Sequence, residues 1–342
     1  MTHTSTASSY QQLPIIDLSA ADRGPGARAL LHAQLHSAAH DVGFFQLVGH
    51  GVGEEEVGRL AAAMRGFFAL PEAERLAIDN VNSPHFRGYT RTGDERTGGS
   101  RDWRDQLDIG AERAAHLPGA GEPAYWWLQG PNQWPGSLPG LRDAALAWID
   151  RLSSVAQRLL RELLVSIGAP ADFYDPIFGE RAHPHLKLVR YPGSAGDGGD
   201  QGVGTHKDYG FLTLLLQDQV GGLQVERADG LFHDVPPIPG AFVVNLGELL
   251  EVATNGYLLA TKHRVVSPAG ATERFSVPFF YNPRLDARVE PLVFPYASTA
   301  PGVTDDPGNP LFAEYGFNEL KGKLRAHPLV AERHHAELLS PA

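Results

Sequence analysis

The sequence predicts a mainly β fold, a sandwich or double-sheet jelly roll with flanking helices, and three observations carry that expectation. From residue 186, eight short runs with strand-like alternation follow one another, at 186–191, 203–206, 211–217, 222–226, 231–235, 241–246, 257–267 and 274–281. No long helical stretch separates them, which argues against βαβ units. Upstream, Leu141, Ala145, Trp148, Leu152, Val155, Leu159, Leu163 and Ile167 recur at helical spacing, a long amphipathic helix suited to lie against a sheet.

Taken in order, residues 1–12 are a polar tail without the charge-then-apolar order of a secretory signal. An α/β region over 13–140 then opens with a short strand at 13–18 and a helix at 27–40. A strand follows at 41–48, and a helix at 54–68 has Val57, Leu60, Ala61, Met64 and Phe67 on one face. Pro71 and Glu72 start a short helix. Residues 79–135, rich in Gly, Pro, Arg and Asp, read as long irregular loops of the kind that cover binding sites. The supporting helix, 141–168, stops at Gly168 and Pro170. The strand-rich core occupies 186–283, with Asp229-Gly230, Gly221-Gly222 and 236–240 as turns. The run 193–202 is Gly- and Asp-rich and reads as mobile, and the extension 284–342 ends in an amphipathic piece near 311–325 that packs back onto the core. The whole is expected to form one compact unit.

Composition narrows the function. The chain has 342 residues and a formal net charge of −11, which disfavours a nucleic-acid partner, since that affinity comes from Lys and Arg on phosphates. With 42% hydrophobic and 20% charged residues it is not a disordered chain. It contains no cysteine, which removes disulfides, thiolate metal sites and iron–sulfur clusters and fits the cytoplasm. No apolar run reaches the roughly 20 residues of a membrane span. No heptad stripe appears, so a monomer is the default, with a homodimer as the alternative.

The chemistry sits in Thr205-His206-Lys207-Asp208-Tyr209. Strand alternation points His206 and Asp208 the same way and Lys207 the other. A second imidazole, His263, lies 55 residues beyond Asp208 in a strand that a double sheet can return beside the first. Two histidines and one carboxylate leave three positions of an octahedral ferrous ion open, enough for a bidentate co-substrate and dioxygen. With 15 histidines in the chain, a lone His-x-Asp has little weight. The neighbours add to it: Arg274 and Ser276 share one strand face, and an inward guanidinium in an apolar barrel calls for an anion.

These residues in this order resemble the isopenicillin N synthase-like group of non-haem iron(II) and 2-oxoglutarate-dependent oxygenases. The front signatures are Leu13 to Leu18 and Gly43-Phe44-Phe45 to Gly49-His50-Gly51-Val52. The core ones are Leu188 to Pro192, Gly204 to Asp208, Gly221 to Val225, Asn245-Leu246-Gly247, Lys262 to Val265 and Arg274 to Phe280. The resemblance implies a double-stranded β-helix core, His206, Asp208 and His263 as iron ligands, and Arg274 with Ser276 on the distal carboxylate of 2-oxoglutarate. It adds Tyr191 as a co-substrate contact and gives Asn245 either a contact or a supporting role. Phe86, Arg87 and Tyr89 fall where relatives bring loops over the cavity, and Arg104 with Trp103 joins them as a substrate candidate. Phe280, inward by parity with Ser276, and Phe211 and Leu223 are candidate walls. Glu248 and the 193–202 loop depart from the better-known plant members without touching iron or clamp.

The implied reaction uses Fe(II), consumes 2-oxoglutarate and O2, releases succinate and CO2, and hydroxylates, desaturates or cyclises a small molecule, by family habit one of secondary metabolism. Two rivals stand beside it. One is an isopenicillin N synthase-like iron oxidase without 2-oxoglutarate, whose Arg274 and Ser276 bind a substrate carboxylate instead. The other is a non-enzymatic jelly roll holding a small acidic ligand.

Overall fold

Alternation along Arg274–Tyr281 organises the molecule. Phe275, Val277, Phe279 and Tyr281 enter the large apolar core, while Arg274, Ser276, Pro278 and Phe280 face a cavity. The computed structural model describes residues 12–193, 201–303 and 308–339; the expected tail, up to residue 11, and residues 194–200 of the expected mobile run lie outside the described residues.

Two sheets face each other across that cavity. The larger has eight strands in the order Ile15–Asp17, Phe44–Val48, Phe242–Leu246, Leu212–Gln217, Arg274–Tyr281, His185–Tyr191, Asp105–Gly110 and Gly88–Thr90. The smaller has four, Phe232–Asp234, Leu223–Glu226, His263–Val266 and Gln201–His206. Pairing is antiparallel except between Ile15–Asp17 and Phe44–Val48. This is the expected mixed architecture, a jelly-roll core with helices on one side. The helix Gly140–Ser166 buries Leu152, Val155, Leu159 and Leu163 against the outer face of the larger sheet, beside Pro25–Asp41 and Glu54–Phe68. A second apolar cluster, with Phe44, Val189, Val203, Leu223, Val225 and Val243, fills part of the space between the sheets.

Three expectations change. Residues 79–135 are not all loop, because Gly88–Thr90 and Asp105–Gly110 extend the larger sheet beyond His185–Tyr191. Asp105, Gln106 and Asp108 on that strand are all buried, so an apolar–polar alternation never develops. The run 257–267 is a strand only over His263–Val266, since the Leu259 N–H donates to Ala39 O and Thr261 Oγ1 to Val42 O, tying the preceding stretch to the end of Pro25–Asp41. The amphipathic piece near 311–325 is the helix Tyr315–Ala326, and it forms cavity wall rather than only packing on the core. Among the described residues no helix is long and apolar enough to cross a membrane.

Candidate active site

His206 ends Gln201–His206 and pairs in register with His263 on the neighbouring strand, which brings the two rings to 4.2 Å between centroids. The chain after His206 carries Asp208 in from the side. Asp208 Oδ1 lies 3.6 Å from His206 Nε2 and 3.9 Å from His263 Nε2, and one ligand atom from each of the three residues falls within 4.8 Å of the others.

The surroundings settle which atoms are free. His206 Nδ1 donates to Gly204 O at 2.8 Å and His263 Nδ1 to Thr261 O at 3.2 Å; a carbonyl only accepts, so each Nε2 keeps its lone pair toward the shared point. Burial holds both imidazoles below their ordinary pKa, His263 at about 4, where His206 beside it adds to the effect. Burial alone would raise Asp208, but the two imidazoles and the donors on its other oxygen outweigh it and keep the carboxyl below its usual range. Those donors are Thr213 Oγ1, at 2.5 Å, and Asn245 Nδ2, at 2.8 Å, both on Oδ2. Two neutral nitrogens and one anionic oxygen converging, each oriented from behind, fit a ferrous ion with open positions.

Asn245 therefore supports the carboxylate. Asn245→Ala is expected to weaken Fe(II) binding about 10- to 100-fold while Thr213 keeps Asp208 partly oriented, as checked by anaerobic metal titration.

The triad opens into a cavity of about 1320 Å³. Arg274 in its wall is 1% exposed, with its guanidinium 4.7 Å over the Tyr191 ring. Nη2 donates to Gln217 Oε1 at 3.2 Å, whereas Nε and Nη1 are buried without a partner among the described residues. A buried guanidinium with orphaned donors on the same strand face as a hydroxyl, Ser276, offers the donor set that an anion requires. The set thus fits a carboxylate-bearing co-substrate spanning from the triad to Arg274.

The sequence candidates divide. His206, Asp208, His263, Arg274, Ser276, Tyr191, Asn245, Arg104, Phe280 and Leu223 line the cavity. Phe86, Arg87, Tyr89 and Phe211 are not among the lining residues. Phe86, at φ 56°, stacks on His335, and Arg87 gives Nη2 to Leu128 O. The Tyr89 hydroxyl donates to Asp105, and Phe211 packs on Tyr174 and Phe178. Each is absorbed by core or network contacts that outcompete a ligand. Trp103 is 40% exposed and held by its backbone to Gln201.

Several lining residues escaped sequence reasoning: Thr213, Glu95, Lys187, Lys323 and His327. Parity had a signal for Lys187, four before Tyr191 on the same face, and for Thr213, opposite Asn245 in register. Nothing in the sequence marked the other three, whose places depend on a loop and on the C-terminal helices. His327 is buried neutral: burial depresses its pKa to about 4, against an ordinary 6.5, even with Glu95 nearby. Between those values the unfolded chain binds the proton and the folded one does not, so stability falls as pH drops through that window. The share of His327 is about 3 kcal/mol. Urea denaturation at pH 7 and 4.5 should show His327→Gln losing less stability than the unsubstituted protein by about that amount.

Comparison with known proteins agrees with this geometry. Residues 13–137 match the model described as non-haem dioxygenase in morphine synthesis N-terminal, and residues 182–283 the 2OG-Fe(II) oxygenase superfamily. The 2-oxoglutarate-dependent dioxygenase frbJ of Dothideomycetidae sp. (strain 11243) is 36% identical over 95% of this chain and 92% of its own. A homoarginine-6-hydroxylase of Arabidopsis thaliana is 33% identical over 84% of this chain and 89% of its own. Among solved structures, the dioxygenase for auxin oxidation in rice superposes with a TM-score of 0.65 at 28% identity, covering 94% of this chain and 99% of that one.

Proposed function

Because this chain belongs to the 2OG-Fe(II) oxygenase superfamily, we propose that His206, Asp208 and His263 hold its ferrous ion and that Arg274 and Ser276 clamp the distal carboxylate of 2-oxoglutarate. The protein is an Fe(II)- and 2-oxoglutarate-dependent enzyme that oxidises a small molecule. The observation that carries the residue assignment is the convergence of His206 Nε2, Asp208 Oδ1 and His263 Nε2 in the same cavity as the orphaned donors of Arg274.

When bound, iron and 2-oxoglutarate together supply the oxidising chemistry, coupling decarboxylation of the keto acid to succinate with oxidation of the substrate. The chain's own part is positional. Gly204 O and Thr261 O fix the tautomers, so neither imidazole needs to shed a proton to bind metal. Thr213 and Asn245 occupy Asp208 Oδ2, which reserves Oδ1 for the ion. Arg274 fixes the far end of the co-substrate and so its orientation at the metal. Phe44, edge-on to His263, and Leu223 keep this part of the wall apolar, which limits water near the reacting centre.

We assign hydroxylation as the outcome, in the cytoplasm, by a monomer, on the family habit and the cysteine-free composition. The deciding experiment mixes the protein with Fe(II), 2-oxoglutarate and a panel of small molecules under air. Succinate should form in step with a product heavier by one oxygen atom. A product formed without succinate would favour the oxidase that dispenses with 2-oxoglutarate.

A further inference from the structure

The cavity has a second polar end that the iron and co-substrate assignments leave unused. On His185–Tyr191, Lys187 shares the inner face with Tyr191 four residues later, about 13 Å along a strand. His185–Tyr191 is also three strands from Phe242–Leu246 in the larger sheet, roughly 14 Å from Asn245 and thus from the support of Asp208. A cavity of about 1320 Å³ exceeds the roughly 300–1,000 Å³ of a single small-molecule site, so it can hold a second ligand beside the co-substrate.

Here Lys187 Nζ donates to Glu95 Oε1 at 2.7 Å, and Arg104 Nη2 to Glu95 Oε2 at 2.8 Å. Lys323 Nζ donates to Asp108 Oδ1 at 2.9 Å. Two donors are left over. Asn80 Nδ2 donates to His327 Nδ1 at 3.1 Å, so the His327 proton is on Nε2, which has Glu95 Oε1 at 3.5 Å but makes no hydrogen bond to it; that atom and Arg104 Nε are buried without hydrogen-bond partners among the described residues. Orphaned buried donors demand an acceptor.

Charge says which kind. Of the described residues lining the cavity, nine are Lys or Arg and four are Asp or Glu, in a chain whose net charge is −11. The iron and 2-oxoglutarate assignments use only Asp208 and Arg274 of these, so a cationic excess remains, and low-dielectric walls focus its field on the cavity. Glu95, Asp102 and Asp108 already pair with Lys187, Arg104 and Lys323, three carboxylates against three cations, so the subsite would hold its ligand by the orphaned donors within the cavity's wider cationic field, which suits a singly charged anion better than a phosphate dianion.

Resting on the oxygenase reading, we propose that Lys187, Arg104 and His327 form the anchoring subsite of the primary substrate, and that this substrate is a small molecule bearing a carboxylate. Glu95 is the positioning residue, holding Lys187 and Arg104 side by side.

The test uses full-length protein with Fe(II), without air and with saturating 2-oxoglutarate, titrated with a panel of small carboxylic acids and their primary amides. Acids are expected to bind, their amides at least about 10-fold more weakly, and Lys187→Gln and His327→Gln each to weaken the acids by about 10-fold or more. Both variants should keep the thermal shift that 2-oxoglutarate gives alone, which separates this subsite from the Arg274 clamp. Binding of no acid, equal binding of acid and amide, or unchanged acid affinity in both variants overturns the proposal. Acid binding without any 2-oxoglutarate shift would instead sink the oxygenase reading and leave the subsite standing.

Discussion

Arg274→Leu is expected to weaken 2-oxoglutarate binding by about 30-fold to several thousand-fold, the equivalent of roughly 2–5 kcal/mol for truncating one partner of a buried charged pair. Iron affinity should stay near that of the unsubstituted protein, because none of the three ligands hydrogen-bonds to Arg274. The same variant has a second, less ordinary signature. The guanidinium is buried with two donors orphaned, so in the ligand-free protein its removal relieves a desolvation cost that offsets the packing lost to the smaller leucine. Ligand stabilises the folded state by RT ln(1 + [L]/Kd), about 2.7 kcal/mol at a hundredfold excess over Kd. Thermal melts with and without 2-oxoglutarate should therefore show a large shift for the unsubstituted protein and almost none for Arg274→Leu. Arg274→Lys, which keeps the charge and loses the fork, belongs between them. A full shift retained by the leucine variant would remove Arg274 from the site.

That the residues of the proposed clamp share one face could be read in advance from period two. Once a strand is granted over 274–281, Arg274, Ser276 and Phe280 must share a face, and all three line the cavity. The pairing of His263 with His206 needed only two strands to meet. Where the reading failed, burial of polar groups hid the pattern. Asp105 receives Arg190 and Arg75, and Asp108 receives His185 and Lys323, so their strand is inside the protein yet reads like loop. The same networks took Tyr89 off the list of ligands, since its hydroxyl is committed to Asp105. Glu95 and His327 meet across 232 positions of chain, on segments with no repeating pattern, and their meeting depends on packing that local periodicity does not encode.

His206→Ala is expected to abolish Fe(II) binding and reduce substrate-dependent succinate formation to that of metal-free protein, with the fold intact. Losing a support such as Asn245 costs about 10- to 100-fold in metal affinity, and losing a ligand outright must exceed that. The choice among the three ligands matters for the control. Asp208→Ala strands Thr213 Oγ1 and Asn245 Nδ2 in a buried pocket, each costing roughly 1–3 kcal/mol, so inactivity there would mix lost metal with lost stability. His263 is packed edge-on against Phe44, and its removal opens a hole beside the inner cluster. His206 instead ends its strand with 30% of its side chain exposed, and its one hydrogen bond is local, to Gly204. Truncation there should change urea stability by less than about 1 kcal/mol. Metal titration, succinate release and a urea melt on this one variant then discriminate cleanly. Retained Fe(II) affinity would exclude His206 from the ligand set, whereas loss of metal with an unchanged melt assigns the inactivity to the ion rather than to the fold.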